Sequence, residues 1–96
     1  MTKENVIEIL KAVATDSLNN YKAQIKGIFG SVARGEESES SDIDVLVDFK
    51  EDADLFDFVG LALFLEEKLH RPVDIVPTDT IKGDIRLNVL KEAIYI

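Results

Sequence analysis

The stretch GSVARGEESESSDIDVLVDF, residues 30–49, decides the fold of this chain. Its Gly30–Ser31 pair directly follows a short apolar run, a pattern that predicts a strand ended by a tight turn. Ser31 is a favourable N-cap for a short helix, which Gly35 would end. The unpaired N–H groups of a helix start and the close approach allowed by Gly30 favour a bound anion such as phosphate, and the Ser31 hydroxyl adds a donor.

The second half of the stretch predicts a strand from Ile43 to Phe49 with two carboxylates at its start. Side chains alternate along a strand, so Asp42 and Asp44 point to one side, with Cα atoms roughly 6.6 Å apart. This spacing suits two carboxylates that converge on one or two divalent cations. Asp48 shares the side but lies roughly 13 Å along the strand from Asp44, so we interpret it as a surface residue. The opposite side is the predicted core face: Ile43, Val45, Val47 and Phe49.

Hydrophobic periodicity and turn residues predict the remaining elements. They are a helix from Thr2 or Asn5 to residue 20, a strand over 24–29, a loop over 36–41, a helix over 55–69, a strand over 73–76, a helix over 81–93 capped by Thr80 or Asp79, and an apolar tail over 94–96. The helix over 55–69 has too many apolar residues for one face, so we expect one side to cover the sheet and the rest to contact other helices or a second chain. His70 ends this helix, and we assign it no chemistry.

Length and charge limit the possible classes of protein. A chain of 96 residues predicts a single domain over residues 1–96. The formal net charge of −8 argues against direct binding to a nucleic-acid backbone, which requires clustered basic residues. The absence of cysteine excludes disulfides and thiolate metal sites. No apolar run has the length of a membrane span and the N-terminus is unlike a secretory signal, so we expect a cytoplasmic protein.

From Gly30 to Phe49 the chain closely resembles the nucleotidyltransferases of the DNA polymerase β superfamily. Within them it is most similar to the minimal nucleotidyltransferases (MNT proteins, the MntA-like antitoxins), whose pattern is G-S-x-A-R-G followed by S-D-x-D and an apolar run. The matching positions are Gly30, Ser31, Ala33, Arg34, Gly35, Ser41, Asp42 and Asp44. The family's third carboxylate, on a later strand, corresponds to Asp74, and the similarity covers nearly the whole chain.

The resemblance implies an α+β fold, a small mixed β-sheet flanked by helices as in the polymerase β palm. It also implies a nucleotidyltransferase that uses Mg²⁺, with two ions, to transfer AMP from ATP to an acceptor hydroxyl and release pyrophosphate. Gly30 and Ser31 would hold the β- and γ-phosphates. The catalytic and metal-binding residues would be Asp42, Asp44 and Asp74, of which Asp74 would also help to deprotonate the acceptor.

Two arginines are candidates for neutralising the triphosphate, because a guanidinium matches phosphate oxygens. Arg34 follows the phosphate turn directly, although it could equally pair with Glu36 or Glu37. Arg86, on the last predicted helix, is the weaker candidate.

The resemblance further implies a partner. MNT proteins pair as a family with HEPN-domain proteins in toxin–antitoxin systems, where AMP added to a tyrosine silences the HEPN ribonuclease. The apolar helix over 55–69 and the tail at Ile94 and Ile96 also permit a homo-oligomer. Three alternatives stay open: a small-molecule adenylyltransferase that works with a helical partner, a non-catalytic antitoxin that acts by occlusion, and a nucleic-acid polymerase, which charge and size disfavour.

Overall fold

A computed structural model of the chain describes residues 1–36 and 41–96. Along the chain the elements are α1 (Lys3–Ala12), α2 (Ala14–Tyr21), β1 (Ala23–Phe29), α3 (Gly30–Arg34), β2 (Ile43–Phe49), α4 (Leu55–Leu69), β3 (Val73–Pro77), a 3₁₀ turn (Thr78–Thr80), α5 (Gly83–Glu92) and β4 (Ile94–Tyr95). The bounds predicted for the second strand and for the long apolar helix are confirmed. Most of the predicted loop over residues 36–41 lies outside the described residues.

The four strands form one mixed sheet in the order β3-β2-β1-β4. β1 pairs antiparallel with β2 and with β4, whereas β2 pairs parallel with β3. A parallel pair needs a long crossover connection, which α4 supplies here. The sheet and its helices confirm the predicted α+β class with a small mixed sheet.

The hydrophobic core joins the predicted core face of β2 to α1 and α4. Ile43, Val45 and Val47 are fully buried, as their alternation predicts, and Phe49 is half-buried. The helices contribute Val6 and Leu10 from α1 and Leu61, Leu65 and Leu69 from α4. Asp44, at an alternate position of β2, consequently points to the other side of the sheet.

The first helix is divided in two, so the prediction of one continuous helix to residue 20 is wrong. Thr2 caps α1 by accepting a hydrogen bond from the Asn5 N–H at 3.2 Å. The chain leaves helical geometry at Val13, whose φ of −104° and ψ of 8° separate α1 from α2. Val13 is buried in the core, and its carbonyl accepts a bond from the buried Ser17 hydroxyl at 2.8 Å. Packing therefore overrides a continuous helical pattern at this point, and α2 lies along β1.

The C-terminal region differs from prediction in two respects. The last helix begins at Gly83, and neither predicted cap is used, because the Thr80 hydroxyl donates instead to the Pro77 carbonyl at 2.7 Å. The apolar tail is not a free extension but forms β4, in register with Gly27 and Ile28 of β1. Ile94 and Ile96 are half-buried against the core, which accounts for their apolar character.

No helix within the described parts of the chain is both long enough and apolar enough to cross a membrane.

Candidate active site

The turn after β1 bends sharply at Gly30. Gly30 begins α3 with a φ of +75°, a backbone conformation that favours glycine. The residue at the N-cap position is Phe29, which makes no side-chain capping bond, so the prediction that Ser31 is the N-cap is wrong. The helix therefore starts two residues earlier than a Ser31 cap would place it, and Ser31 lies within its first turn.

Gly35 ends α3, as predicted. Its φ of +73° is left-handed, and its N–H donates to the Val32 carbonyl at 3.1 Å. The next N–H, of Glu36, donates to the Ser31 carbonyl at 2.9 Å. These two bonds satisfy carbonyls that the end of a helix would otherwise leave unpaired.

The turn touches the acid-bearing strand. β1 and β2 pair so that Phe29 lies opposite Asp44, which places Gly30 beside the carboxylate of Asp44. A Cβ atom added to Gly30 would overlap the Asp44 Oδ2 atom and lie 3.1 Å from its Cγ. The absence of a side chain at position 30 therefore leaves the space that the Asp44 carboxylate fills.

The third acid comes from the neighbouring strand. In the parallel β2–β3 pair Asp44 is directly in register with Asp74. Residues in register on adjacent strands lie about 4.8 Å apart and point to the same side of the sheet. Asp42 directly precedes β2 and is exposed, Asp74 is also exposed, and Asp44 is half-buried. Asp44 and Asp74 therefore share one side of the sheet, on two strands joined by α4, and the place of Asp42 beside them stays a prediction.

The electrostatics of Asp44 reflect this crowding. Burial raises the pKa of the Asp44 carboxyl above its usual value, and the nearby carboxylates of Asp74 and Asp42 raise it further. The charge of Arg34 acts in the opposite direction and lowers this pKa. Asp44 is thus within electrostatic reach of both other acids and of the arginine.

The donor chemistry of these acids suits Mg²⁺. Mg²⁺ takes hard oxygen ligands, usually one or two carboxylates together with waters and substrate phosphates. The carboxylates are crowded, and the pKa of Asp44 is raised. A divalent cation would neutralise this concentration of negative charge. Within residues 1–36 and 41–96, however, no three His, Cys, Asp or Glu side chains are already gathered closely enough to hold a metal ion.

Arg34 is paired with acids of this chain. Its Nε atom donates to Glu36 Oε2 at 2.8 Å, and its Nη1 atom lies 3.7 Å from Glu92 Oε2 on α5. The hydrogen bond to Glu36 is the main reason that the pKa of Arg34 is raised. The predicted pairing with Glu36 is therefore observed, and Glu37 lies outside the described residues.

A polar network on the acid side of the sheet went unnoticed in the sequence. Asp48 accepts a hydrogen bond from the Thr78 hydroxyl, and the Nζ atom of Lys26 lies 3.9 Å away. Arg86 donates to the backbone carbonyls of Thr78 and Ile81, so its guanidinium is used to hold the start of α5. The i+4 spacing from Asp44 places Asp48 on the same side, but only the fold brings Thr78 to it.

Comparison with known proteins shows which family the chain belongs to. The sequence profile described as nucleotidyltransferase domain matches residues 6–96. The protein adenylyltransferase MntA of Thermococcus cleftensis is 38% identical over 96 residues, which is 100% of this chain and 97% of that protein. A solved structure provisionally described as a minimal nucleotidyltransferase superposes with a TM-score of 0.84 at 40% identity, covering 100% of this chain and 97% of the other.

More distant structures share the fold. A toxin–antitoxin structure with AMP-PNP superposes with a TM-score of 0.68 at 24% identity, covering 99% of this chain and 72% of the other. The toxin–antitoxin MntA–HepT gives 0.58 at 22% identity, covering 97% and 67%. The profile match and the full-length similarity to MntA together place this chain in the nucleotidyltransferase domain family, as a nucleotidyltransferase of the minimal type.

Proposed function

We propose that this nucleotidyltransferase is a Mg²⁺-dependent protein adenylyltransferase that moves AMP from ATP to a tyrosine hydroxyl of a HEPN-type toxin and thereby acts as its antitoxin. The observation that carries the proposal is the register of Asp44 with Asp74, next to the Gly30 turn. The Gly30–Ser31 turn and the paired carboxylates of Asp44 and Asp74 thus lie side by side on the sheet.

The residue roles follow from this placement. Gly30 and Ser31 hold the β- and γ-phosphates, because the turn offers backbone N–H groups and a hydroxyl donor. Asp42, Asp44 and Asp74 are the carboxylates that would bind Mg²⁺. Arg34 adds positive charge beside Asp44, and its terminal N–H groups would contact phosphate while its Nε atom bonds Glu36.

The proposed reaction is a single displacement at phosphorus. The acceptor oxygen forms a bond to the α-phosphorus of ATP, the bond from that phosphorus to the bridging oxygen of the β-phosphate breaks, and pyrophosphate leaves. The proton of the acceptor hydroxyl passes to the carboxylate of Asp74, which lies exposed at the face. Bound Mg²⁺ supplies neutralisation of the charge that develops on the phosphoryl oxygens.

The choice of a protein acceptor rests on similarity to known proteins and on the net charge of the chain. The relative in Thermococcus cleftensis is named a protein adenylyltransferase, and a structure of the same fold is the MntA–HepT toxin–antitoxin. A formal charge of −8 does not suit a polymerase that must hold a template. We assign the reaction to residues 1–96 acting as one domain in the cytoplasm.

The test is transfer of labelled AMP. The chain is incubated with a HEPN-type partner, Mg²⁺ and ATP labelled at the α-phosphate, and the label is located by peptide mapping. We expect label on a partner tyrosine and a loss on the order of 10³-fold or more in Asp44→Asn or Asp74→Asn, because ligands and base act as a unit. Ser31→Ala should lose less, since the backbone N–H groups remain.

Occlusion and small-molecule transfer give different results in the same assay. If Asp44→Asn silences the partner in cells as well as the unmodified chain does, the protein acts by occlusion and the enzymatic proposal fails. If label appears on a small acceptor and never on the partner, the acceptor class is wrong while the residue roles stand.

A further inference from the structure

Helix α4 presents an apolar face that the described residues leave uncovered. Leu55, Val59 and Leu63 follow one another at intervals of four, so they form a row along one side of the helix. Phe56 lies beside this row with 88% of its surface exposed, and Leu63 is 62% exposed. We call these four residues the α4 stripe. The opposite side of the helix, with Leu61, Leu65 and Leu69, is fully buried, so the core explains only half of the helix's apolar character.

The α4 stripe continues into a cleft at its N-terminal end. Leu55 lines a cleft of about 550 Å³ together with Phe49, Phe58 and Pro77. The rings of Phe49 and Phe58 lie 5.8 Å apart and form part of its apolar wall. A cleft of this volume accommodates one or two large apolar side chains of a partner.

Acidic residues surround the stripe and the cleft. Glu51, Asp54 and Asp79 line the cleft, and Glu67 extends the Leu55-Val59-Leu63 row by one further turn. Asp52 is exposed in the turn before α4. Two lysines lie near these acids: Lys50 lines the cleft, and the Nζ atom of Lys22 lies 3.8 Å from an Asp52 carboxylate oxygen. The acids outnumber these lysines, in keeping with the charge of the whole chain.

A second copy of the chain does not suit this surface. If two copies paired through the α4 stripe in antiparallel fashion, Glu51 of one would approach Glu67 of the other. If they paired in parallel, each acid would approach its own equivalent. Acid meets acid in both arrangements, which disfavours self-association.

From the stripe, the cleft and their acidic surroundings we infer a docking site for a helix of the partner protein that presents an apolar row flanked by lysine or arginine. The row packs along α4, and one large apolar side chain enters the cleft at Leu55. The basic residues lie against Glu51 and Glu67 and contribute to the rate of association.

This docking site is separate from the catalytic face. Phe49 lies five residues from Asp44 along β2, which corresponds to roughly 16 Å, and points to the opposite side of the strand. The inference rests on the proposed function in taking a HEPN-type toxin as the partner. Because docking and chemistry use different residues, they can be disturbed one at a time.

The first test measures binding of a purified HEPN-type partner by calorimetry. The variant is Phe56→Glu, whose exposed position should leave the fold intact, and the matched control is Leu87→Glu on α5, where the side chain is 76% exposed. We expect Phe56→Glu to weaken binding at least about tenfold and Leu87→Glu to leave it unchanged. In labelling assays Phe56→Glu should raise the KM for the partner without changing kcat.

Several outcomes would overturn the docking site. They are equal binding by Phe56→Glu and the unmodified chain, equal weakening by Leu87→Glu, and no binding of the partner by the unmodified chain. Sedimentation of the isolated chain adds one more, because a dimer that Phe56→Glu dissociates would show that a second copy is the occupant. Loss of labelling with binding intact would count against the proposed function alone.

The second test concerns charge. Glu51→Gln combined with Glu67→Gln should slow association at low salt several-fold, and the difference should shrink as salt is raised. Glu4→Gln combined with Glu8→Gln, two exposed residues of α1, removes the same charge elsewhere and serves as the control. If both double variants behave alike, the partner does not present basic residues to α4, and that part of the inference is wrong.

Discussion

At the scale of single residues, the site depends on the space that Gly30, which has no side chain, leaves for the carboxylate of Asp44. Gly30 was predicted as the residue that lets phosphate approach the backbone, a role that stays a prediction. The structure adds a second reason for glycine, because any Cβ at this position would overlap Asp44. This second reason could not be read from the sequence, since it depends on how β1 and β2 pair.

The close approach of Asp44 to Gly30 predicts that Gly30→Ala destabilises the protein more than Gly35→Ala does. Both glycines have a positive φ, +75° and +73°, so both substitutions strain the backbone, but a Cβ on Gly35 would meet nothing within 4 Å. We expect Gly30→Ala to lower the free energy of unfolding by at least about 1 kcal/mol more than Gly35→Ala. The measurement is urea denaturation.

The double variant Gly30→Ala with Asp44→Ala provides the control. If the contact is responsible, the extra cost of Gly30→Ala should largely disappear once Asp44 is truncated. A cost that is the same in both backgrounds would refute the contact and leave only backbone strain.

The raised pKa of Asp44 predicts a pH-dependent stability. Its folded-state pKa lies above the value of about 3.8 that is usual for an aspartate, so the folded protein binds the proton more readily than the unfolded chain and the ionised carboxylate destabilises the fold. Without metal, Asp44→Asn should therefore unfold at higher urea concentration than the unmodified chain at pH 7. The advantage should shrink as the pH falls through the folded pKa and vanish below about 3.8.

The comparison should be made with chelator at several pH values. A gain in stability that stays constant down to pH 3 would mean that charge is not its cause. A loss of stability at pH 7 would mean that the Asp44 carboxylate is compensated in the folded protein.

At the scale of elements, what the sequence predicted well had local causes. The bounds of α4 are confirmed, and its start is fixed by Asp54 and Asp57, each of which accepts a hydrogen bond from the other's backbone N–H at 3.0 Å. The division of α1 from α2 at Val13 was missed because neither glycine nor proline marks it. β4 was missed because a two-residue strand exists only through its pairing with β1.

Because one side of α4 is buried and the other is exposed, two nearby leucines should contribute very differently to stability. Leu65 is fully buried in the core, whereas Leu63 is 62% exposed. We expect Leu65→Ala to destabilise the protein by about 2–5 kcal/mol and Leu63→Ala to change stability by no more than about 0.5 kcal/mol. Thermal and urea denaturation measure both, and similar losses in the two variants would show that the exposed side of α4 is covered in the isolated chain.

At the scale of the whole molecule, the candidate site was predictable only in part. The Gly30–Ser31 turn lies close in sequence to Asp42 and Asp44, and strand alternation predicts the side of β2 to which Asp44 points. Asp42 precedes the strand, so its place in the site stays a prediction. Asp74 was assigned by resemblance to a family, and its register with Asp44 depends on the crossover through α4, which no local pattern specifies. The partners of Arg34 and Asp48 likewise depend on where α5 and the 3₁₀ turn lie.

The charge of the whole chain predicts that it does not bind nucleic acid directly. With 19 acidic against 11 basic residues, its field repels a phosphate backbone. In fluorescence anisotropy with a labelled single-stranded RNA at 150 mM salt, we expect no binding at protein concentrations up to about 100 μM. Binding in that range would reopen the polymerase alternative.

The pairing of Asp44 with Asp74 has a consequence for how the chain could be divided. The two acids lie on opposite sides of the turn over residues 50–54, so a cut there would leave one acid on each fragment. Neither fragment would contain a complete site. Each would carry one of the two parallel strands, β2 or β3, whose pairing brings the acids together. We therefore expect AMP transfer to be lost on such a cut and to return only when the two fragments associate and β2 pairs again with β3.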